Sequence, residues 1–187
     1  MFFKQIKQKK CRICKKYFQP KNSLQVVCSM GCAIIHAENT KKKRERCELK
    51  EGRERLKTYT EWQDEAKAQV QRYARLRDEI RGYGCISCGT LTPRNGRFEG
   101  GHYRNSKMYS AIRFNTFNIH RQCHYCNHHL SGNLLEYKRN LTQRLGVDKV
   151  EWLEAQTQVR KYTIEELKRI KRIFTKRANK LAKKLGA

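Results

Sequence analysis

Eight of the nine cysteines in this chain fall into four short-spaced pairs, Cys11/Cys14, Cys28/Cys32, Cys85/Cys88 and Cys123/Cys126, while Cys47 stands alone in a basic segment. Two or three residues between thiols is the spacing of a zinc knuckle, in which one tight turn aims both thiolates at the same ion. Two knuckles brought face to face satisfy tetrahedral Zn²⁺. Hydrophobic residues make up only 38% of the 187 and charged residues 32%, so little of the sequence is available for a large core. Small modules closed by metal are the economical way to hold such a chain together. Sequence order assigns Cys11, Cys14, Cys28 and Cys32 to one structural zinc and Cys85, Cys88, Cys123 and Cys126 to another. Cys47 is read as a bystander thiol. The start Met1-Phe2-Phe3 is too short for the apolar stretch of a signal peptide, and no long apolar run follows that would anchor in a membrane. The expectation is a cytoplasmic protein with reduced, metal-bound cysteines.

Charge points to the partner. Lys and Arg number 43 against 17 Asp and Glu, a formal net charge of +26. Each four-thiolate zinc site subtracts only two charges, so a polyanion such as DNA is the expected partner.

Read in order, residues 1–35 form an N-terminal zinc finger of treble-clef or ribbon-like type, with strand character over Ser23–Val27 delivering its second cysteine pair. Residues 36–82 read as a basic helical connector. Acidic and basic residues three and four apart from Ala33 to about Lys57 suit a solvated helix, and Lys41–Arg44 is either such a face or a phosphate contact. Thr60-Glu61-Trp62-Gln63 has capping-box spacing and predicts a helix start, with Trp62, Ala66, Val70, Tyr73, Leu76 and Ile80 as its buried stripe and Gly82 and Gly84 as its stop. Residues 83–135 read as strand, loop, strand, helix. A strand over Arg97–Tyr103 ends at His102, a loop spans Arg104–Arg113, a second strand runs from Phe114 to Gln122, and a helix starts at Cys126. Thr92–Gly96 is a turn, and the pair Gly100-Gly101 is expected to let a backbone or a phosphate approach His102. Residues 136–187 are a basic helical region, in which a helix from Leu134 ends at Gly146 and a short one follows over Val147–Gln158. Thr163–Glu166 then caps a terminal helix carrying Leu167, Ile170, Phe174 and Ala178 on one side and Lys168, Arg172 and Lys176 on the other. The fold class is α+β, built from small zinc-stabilised modules and long helices. The apolar side of the last helix is expected to pack within the chain, with a homodimer as the alternative.

The stretch Cys85–Asn133, with Gly101-His102-Tyr103-Arg104 and Asn118-Ile-His-Arg-Gln-Cys123-x-x-Cys126-Asn127-x-x-Leu-Ser-Gly-Asn133, resembles the HNH, or ββα-metal, nuclease module. Together with Cys11-x-x-Cys14-Lys-Lys-Tyr-Phe-x-Pro-Lys-Asn near the start, it makes the whole chain similar to the NinG/Rap family of lambdoid phage recombination endonucleases. The resemblance implies a structure-selective endonuclease acting on branched DNA, Holliday junctions and D-loops, inside the infected or lysogenic cell, with host recombination proteins as further partners. It implies His102 as general base, Asn118 as the residue that orients the base-bearing segment, and Asn127 as ligand of a catalytic Mg²⁺ or Mn²⁺. Asn127 stands where most such modules have a histidine, and Gly101 where many have Asp or His. Glu99 occupies the position of the Asp in the Asp-Arg-Gly-His motif of a related nuclease branch. It is either a support for the hydrated cation or His102, or an ordinary strand Glu; His128 and His129 are alternative ligands, and His120 and His124 are read as structural or phosphate-facing. Arg104, Lys107, Arg113 and Arg121 flank this centre and are expected to hold phosphates, as are Lys168, Arg172 and Lys176. The rival reading is a zinc-finger protein that binds DNA or RNA without cleaving it. It has no use for the assembly of His102, Asn118 and Asn127.

Overall fold

The structure, a computed structural model, describes residues 6–93 and 96–186. Arg94 and Asn95, in the middle of the expected Thr92–Gly96 turn, lie outside the described residues. Two compact units divide at Lys57/Thr58, so the segment read as a connector over 36–82 contributes a helix to each.

The first unit opens with a minimal antiparallel pair, β1 (Lys9–Lys10) and β2 (Tyr17–Phe18), joined by the Cys11–Cys14 knuckle. Inside the knuckle the Lys15 amide returns to the Cys11 carbonyl at 3.1 Å, with Lys15 at φ +62°. Ser23–Val27 is not a strand. Asn22 instead folds this stretch into a turn, its side-chain oxygen accepting the Leu24 and Gln25 amides at 3.0 and 2.9 Å. The stretch is tied to the knuckle by a main-chain bond from Arg12 N–H to the Val26 carbonyl, at 3.1 Å. Helix α1 (Met30–Leu56) follows, capped by the Ser29 hydroxyl on the Cys32 amide, and buries none of its residues. That is the behaviour of the solvated, mixed-charge helix that the sequence describes.

The second unit is organised by helix α2 (Tyr59–Ile80). Its capping box is Thr58 with Glu61, two residues before the expected Thr60 and Gln63: the Thr58 hydroxyl takes the Glu61 amide and the Glu61 carboxylate takes the Thr58 amide. The carboxylate also suits the positive end of the helix dipole, an advantage the Gln63 amide lacks. Trp62, Ala66, Val70 and Ala74 are buried at strict steps of four and Asp78 continues the row, while Tyr73 lies edge-on to Phe174 and Ile80 is 40% exposed. Against α2 pack the antiparallel strands β3 (Phe98–His102) and β4 (Ile119–Cys123), paired from Phe98 with Cys123 to His102 with Ile119. The expected second strand is shorter than Phe114–Gln122, because Ser110–Ile112 forms a turn of 3₁₀ helix and Phe114 joins the core beneath α2. A wide helical turn over Tyr125–His129 follows β4.

Helices α3 (Leu134–Leu145) and α4 (Val147–Ala155) meet at Gly146, whose φ of +86° makes the corner. Tyr137, Leu141, Val150 and Leu153 join Ile86 and Tyr103 in a second core. Helix α5 (Ile164–Lys184) has the expected capping box of Thr163 and Glu166 and lays its apolar side along α2, with Leu167 and Ala178 buried and Ile170 and Phe174 packed at the edge. Its hydrophobic face is thus used inside the unit. Among the described residues no helix is long and apolar enough to cross a membrane.

Candidate functional site

Both cysteine quartets assemble as the spacing predicts, with the four sulfurs of each cluster within 4.8 Å of one another. Cys14 and Cys28 are 3.5 Å apart, Cys28 and Cys32 3.7 Å, and Cys88 and Cys123 3.8 Å. The edge of a tetrahedron with Zn–S bonds of 2.3 Å is about 3.8 Å. In the second cluster, backbone amides of Cys123 and Cys126 point at the sulfurs of Cys85 and Cys123 at 3.3 and 3.5 Å, which favours thiolates. Each quartet therefore fits a structural zinc.

The second cluster pins the ends of the β3–β4 module. Cys123 closes β4, and Cys126 begins the return toward α3. At the far end of the hairpin stands His102. Its Nε2–H donates to the Arg113 carbonyl at 3.0 Å, which leaves Nδ1 as the atom able to take a proton. Burial, reinforced by the positive charges of Lys67 and Arg113 and only partly offset by that carbonyl, pulls the imidazole down from 6.5 to about 4. The ring is neutral at pH 7.

Asn118 is fully buried and ties the loop that carries Arg113. Its side-chain oxygen accepts the Arg104 amide at 2.7 Å, and its nitrogen donates to the carbonyls of Arg104 at 3.0 Å and Ile112 at 3.4 Å. Its own carbonyl receives the Tyr103 amide at 2.9 Å. Both ends of the 104–113 loop, and through Arg113 the His102 ring, are therefore held by one side chain.

His102 and Asn127 line the same hollow, of about 290 Å³, whose α2 wall is Lys67 and Gln71. A second hollow, of about 460 Å³, shares Lys67, Gln71, Gly100 and Asn127 and extends to Glu99, His128 and Arg75. Sequence reasoning missed this wall, since α2 lies some thirty residues upstream of β3. Gln71 donates to the Gly100 carbonyl at 2.9 Å and Arg75 to the Phe98 carbonyl at 3.1 Å, so the helix is fastened along the strand. The glycine pair admits a backbone, one of the two expected approaches, at Gly100. A Cβ on Gly100 would come within 2.6 Å of Gln71 Cβ and 2.8 Å of its Cα, and one on Gly101 within 2.0 Å of Gln122 Oε1. The main chain of Gln71 takes the Cβ side of Gly100 and a buried glutamine that of Gly101, while Gly100 also borders both hollows.

Glu99 faces the turn after β4. Its carboxylate receives the Asn127 side-chain nitrogen at 2.6 Å and lies 3.0 Å from His124 Nδ1 and 2.7 Å from His128 Nε2. Partial burial opposes its ionisation, but these three hydrogen bonds prevail and hold the carboxyl down at about 2. Asn127 commits its nitrogen to Glu99, leaving its oxygen as the ligand or acceptor atom. His120 is structural: it is buried between the Phe117 carbonyl, at 3.1 Å, and Asp78, at 3.3 Å. His129 is exposed against Tyr125 and joins neither group.

The basic residues divide. The Arg121 guanidinium carbon sits over Phe98, 3.9 Å from the ring centre, and the side chain pairs with Glu79 at 3.7 Å, outside the lining of the His102 hollow. Arg104 stacks on Tyr109 at 3.7 Å, and Arg113 donates to the Ser106 carbonyl at 2.7 Å. Lys107, Lys168, Arg172 and Lys176 are exposed.

Comparison with known proteins covers nearly the whole chain. The sequence profile of the family described as bacteriophage lambda NinG protein matches residues 3–184. Protein ninG of Escherichia phage lambda is 36% identical over 176 residues, covering 84% of each chain. Protein ninG of Escherichia phage 933W is 35% identical over 182 residues, covering 88% of this chain and 89% of its own length. That of Salmonella phage P22 is 35% identical over 176 residues, covering 84% and 85%. No solved structure matches. With a match across nearly its full length, the chain belongs to the NinG family of bacteriophage proteins.

Proposed function

We propose that this protein is a metal-dependent endonuclease that hydrolyses phosphodiester bonds in branched DNA, such as Holliday junctions and D-loops, during phage recombination in the cytoplasm of the host cell. The observation that carries the reading is the hollow shared by His102 and Asn127, with a neutral imidazole whose Nδ1 is left to accept a proton and whose Nε2–H is anchored on Arg113. The expected HNH-like, ββα-metal module supplies the analogy of two strands and a helical turn; the chemistry rests on the residues. His102 removes a proton from water as its oxygen bonds to phosphorus, the bond from phosphorus to the 3′ oxygen breaks, and that oxygen is protonated by solvent. Asn118 acts as a positioning residue by fixing the loop that holds the imidazole. A divalent cation beside Asn127 and Glu99, Mg²⁺ or Mn²⁺, would stabilise the charge on the phosphoryl oxygens and on the departing oxygen. Lys67, in the wall of both hollows, and the exposed Lys107 supply positive charge for the strand.

The second reading, a non-cleaving zinc-finger protein that holds junctions for another nuclease, draws on the +26 charge and the exposed basic side of α5. Incubating a labelled four-way junction with the protein, with Mg²⁺, Mn²⁺ or chelator, separates the two. Nicks that require the ion support the nuclease, and tight binding without nicks under any ion supports the binder.

A further inference from the structure

We propose that Glu99, His124 and His128 form a third metal centre, which takes a divalent transition ion such as Mn²⁺ or Co²⁺ through one carboxylate and two imidazole nitrogens. One donor atom from each residue lies within 4.8 Å of the other two, and the carboxylate meets the rings through both oxygens, Glu99 Oε1 at 3.0 Å from His124 Nδ1 and Oε2 at 2.7 Å from His128 Nε2. Adjacent ligands on one ion with bonds of 2.0–2.2 Å are roughly 3 Å apart, so small adjustments bring all three onto a common centre. The ring nitrogens that now face the carboxylate are the ones that would face the ion, which imidazole coordinates in its neutral form.

The arrangement is built from both sides. Strand β3 supplies Glu99, and the turn after β4 supplies the two histidines one turn apart, their rings stacked 4.4 Å between centres. That turn is wound wide, closing with the Leu130 amide on the Tyr125 carbonyl, a π-type geometry that recurs at functional sites. Cys123 and Cys126 bracket its start, so a structural zinc would hold the histidines in place before any second ion arrives. Asn127 and Arg97 each hold one oxygen of the Glu99 carboxylate, at 2.6 and 3.1 Å, which orients it as outer hydrogen bonds orient metal ligands.

The donor set also selects the ion. Two nitrogens and one carboxylate suit the first-row transition series, whereas Mg²⁺ takes oxygen ligands and keeps its waters. Three protein ligands leave positions open, and the cluster borders the hollow of about 460 Å³ lined by Asn127, Lys67 and Arg75, where water or a phosphate oxygen would complete the shell. This is the cation placed above beside Asn127 and Glu99, and of Mg²⁺ and Mn²⁺ the donor set favours Mn²⁺; its binding stands on this geometry alone, and its part in strand cleavage rests on the nuclease reading.

The test is equilibrium dialysis of the full-length, zinc-loaded protein against Mn²⁺, with metals counted by mass spectrometry and bound Mn²⁺ read by loss of the free-ion paramagnetic resonance signal. Mn²⁺ is the weakest binder of its series and leaves thiolate-bound zinc in place. The expected result is one Mn²⁺ beside two zincs per chain. Glu99→Gln and His128→Ala should each weaken Mn²⁺ binding by about tenfold or more while keeping two zincs and an unchanged helical spectrum. His128 is half-exposed, so its replacement leaves the fold intact. No Mn²⁺ beyond the two zincs, or Mn²⁺ binding unaffected in His128→Ala and in a His124→Ala/His128→Ala double variant, overturns the proposal. Mn²⁺ binding without junction cleavage would instead remove the nuclease reading and leave this centre standing.

Discussion

Asn118 holds the main chain of Arg104 from both sides, accepting its amide at 2.7 Å and donating to its carbonyl at 3.0 Å. Replacing it by alanine strands both groups in a buried place, and the Ile112 carbonyl with them. Asn118→Ala should lose roughly 2–4 kcal/mol in urea denaturation, and Asn118→Asp should also be destabilised because a carboxylate cannot donate to the two carbonyls. Cleavage should fall further than folding alone explains at temperatures where the variant is still folded, since Arg113 no longer fixes His102.

Gly100 and Gly101 are required by packing. Gly100→Ala forces a Cβ against the main chain of α2 at 2.8 Å, and no side-chain rotation relieves it. It should cost roughly 1–3 kcal/mol. Gly101→Ala meets the end of a side chain, Gln122 Oε1, whose nitrogen is fixed by Ser87 at 2.7 Å and Gly132 at 2.6 Å. Adding Gln122→Ala should therefore relieve part of the Gly101→Ala steric defect and none of the Gly100→Ala defect, as read by thermal unfolding of the four variants.

The His102 imidazole titrates near 4 in the folded protein because of its burial, against 6.5 in an unfolded chain. Between these values the unfolded chain carries the extra proton, so stability should decline as pH falls from about 6.5 to 4 and this contribution should be constant above and below. The expected share is on the order of 1–3 kcal/mol. Denaturant midpoints across this range should show a shallower slope in His102→Ala than in wild type. If His102 is the base, the acid limb of the cleavage profile should also lie below the ordinary imidazole range.

Cys88 is exposed, yet it is one of the four sulfurs of the second cluster. Cys88→Ala should lower the zinc content from two to one per chain and abolish cooperative unfolding of the β3–β4 module, with the α1 segment unaffected. Metal analysis and circular dichroism check both. Cys47→Ala, a substitution outside either quartet, should change neither.

What was legible in the sequence was what is local. Cysteine knuckles, the Thr163–Glu166 box and the Gly146 corner depend on residues a few positions apart, and they stand where the spacing puts them. The start of α2 lies two residues before the expected one, because the box closes on the carboxylate of Glu61 with Thr58 and not on the amide of Gln63 with Thr60. Ser23–Val27 has strand-forming residues but no partner strand among the described residues, and Asn22 turns it instead. In the candidate site, His102 and Asn118 were read from the resemblance, and the loop from Arg104 to Arg113 links them. The Glu99–His124–His128 group depends on strand register, and the α2 wall of Lys67 and Gln71 on packing across thirty residues; neither is written in any short stretch.

Single-turnover cleavage of a labelled four-way junction by wild type and His102→Ala, at protein concentrations that saturate binding of both, tests the central claim most directly. The expected result is equal junction binding, unchanged zinc content and cleavage slower by about 10²–10⁴ in the variant. Equal cleavage by both proteins, or binding by both without cleavage by wild type in either Mg²⁺ or Mn²⁺, would contradict it.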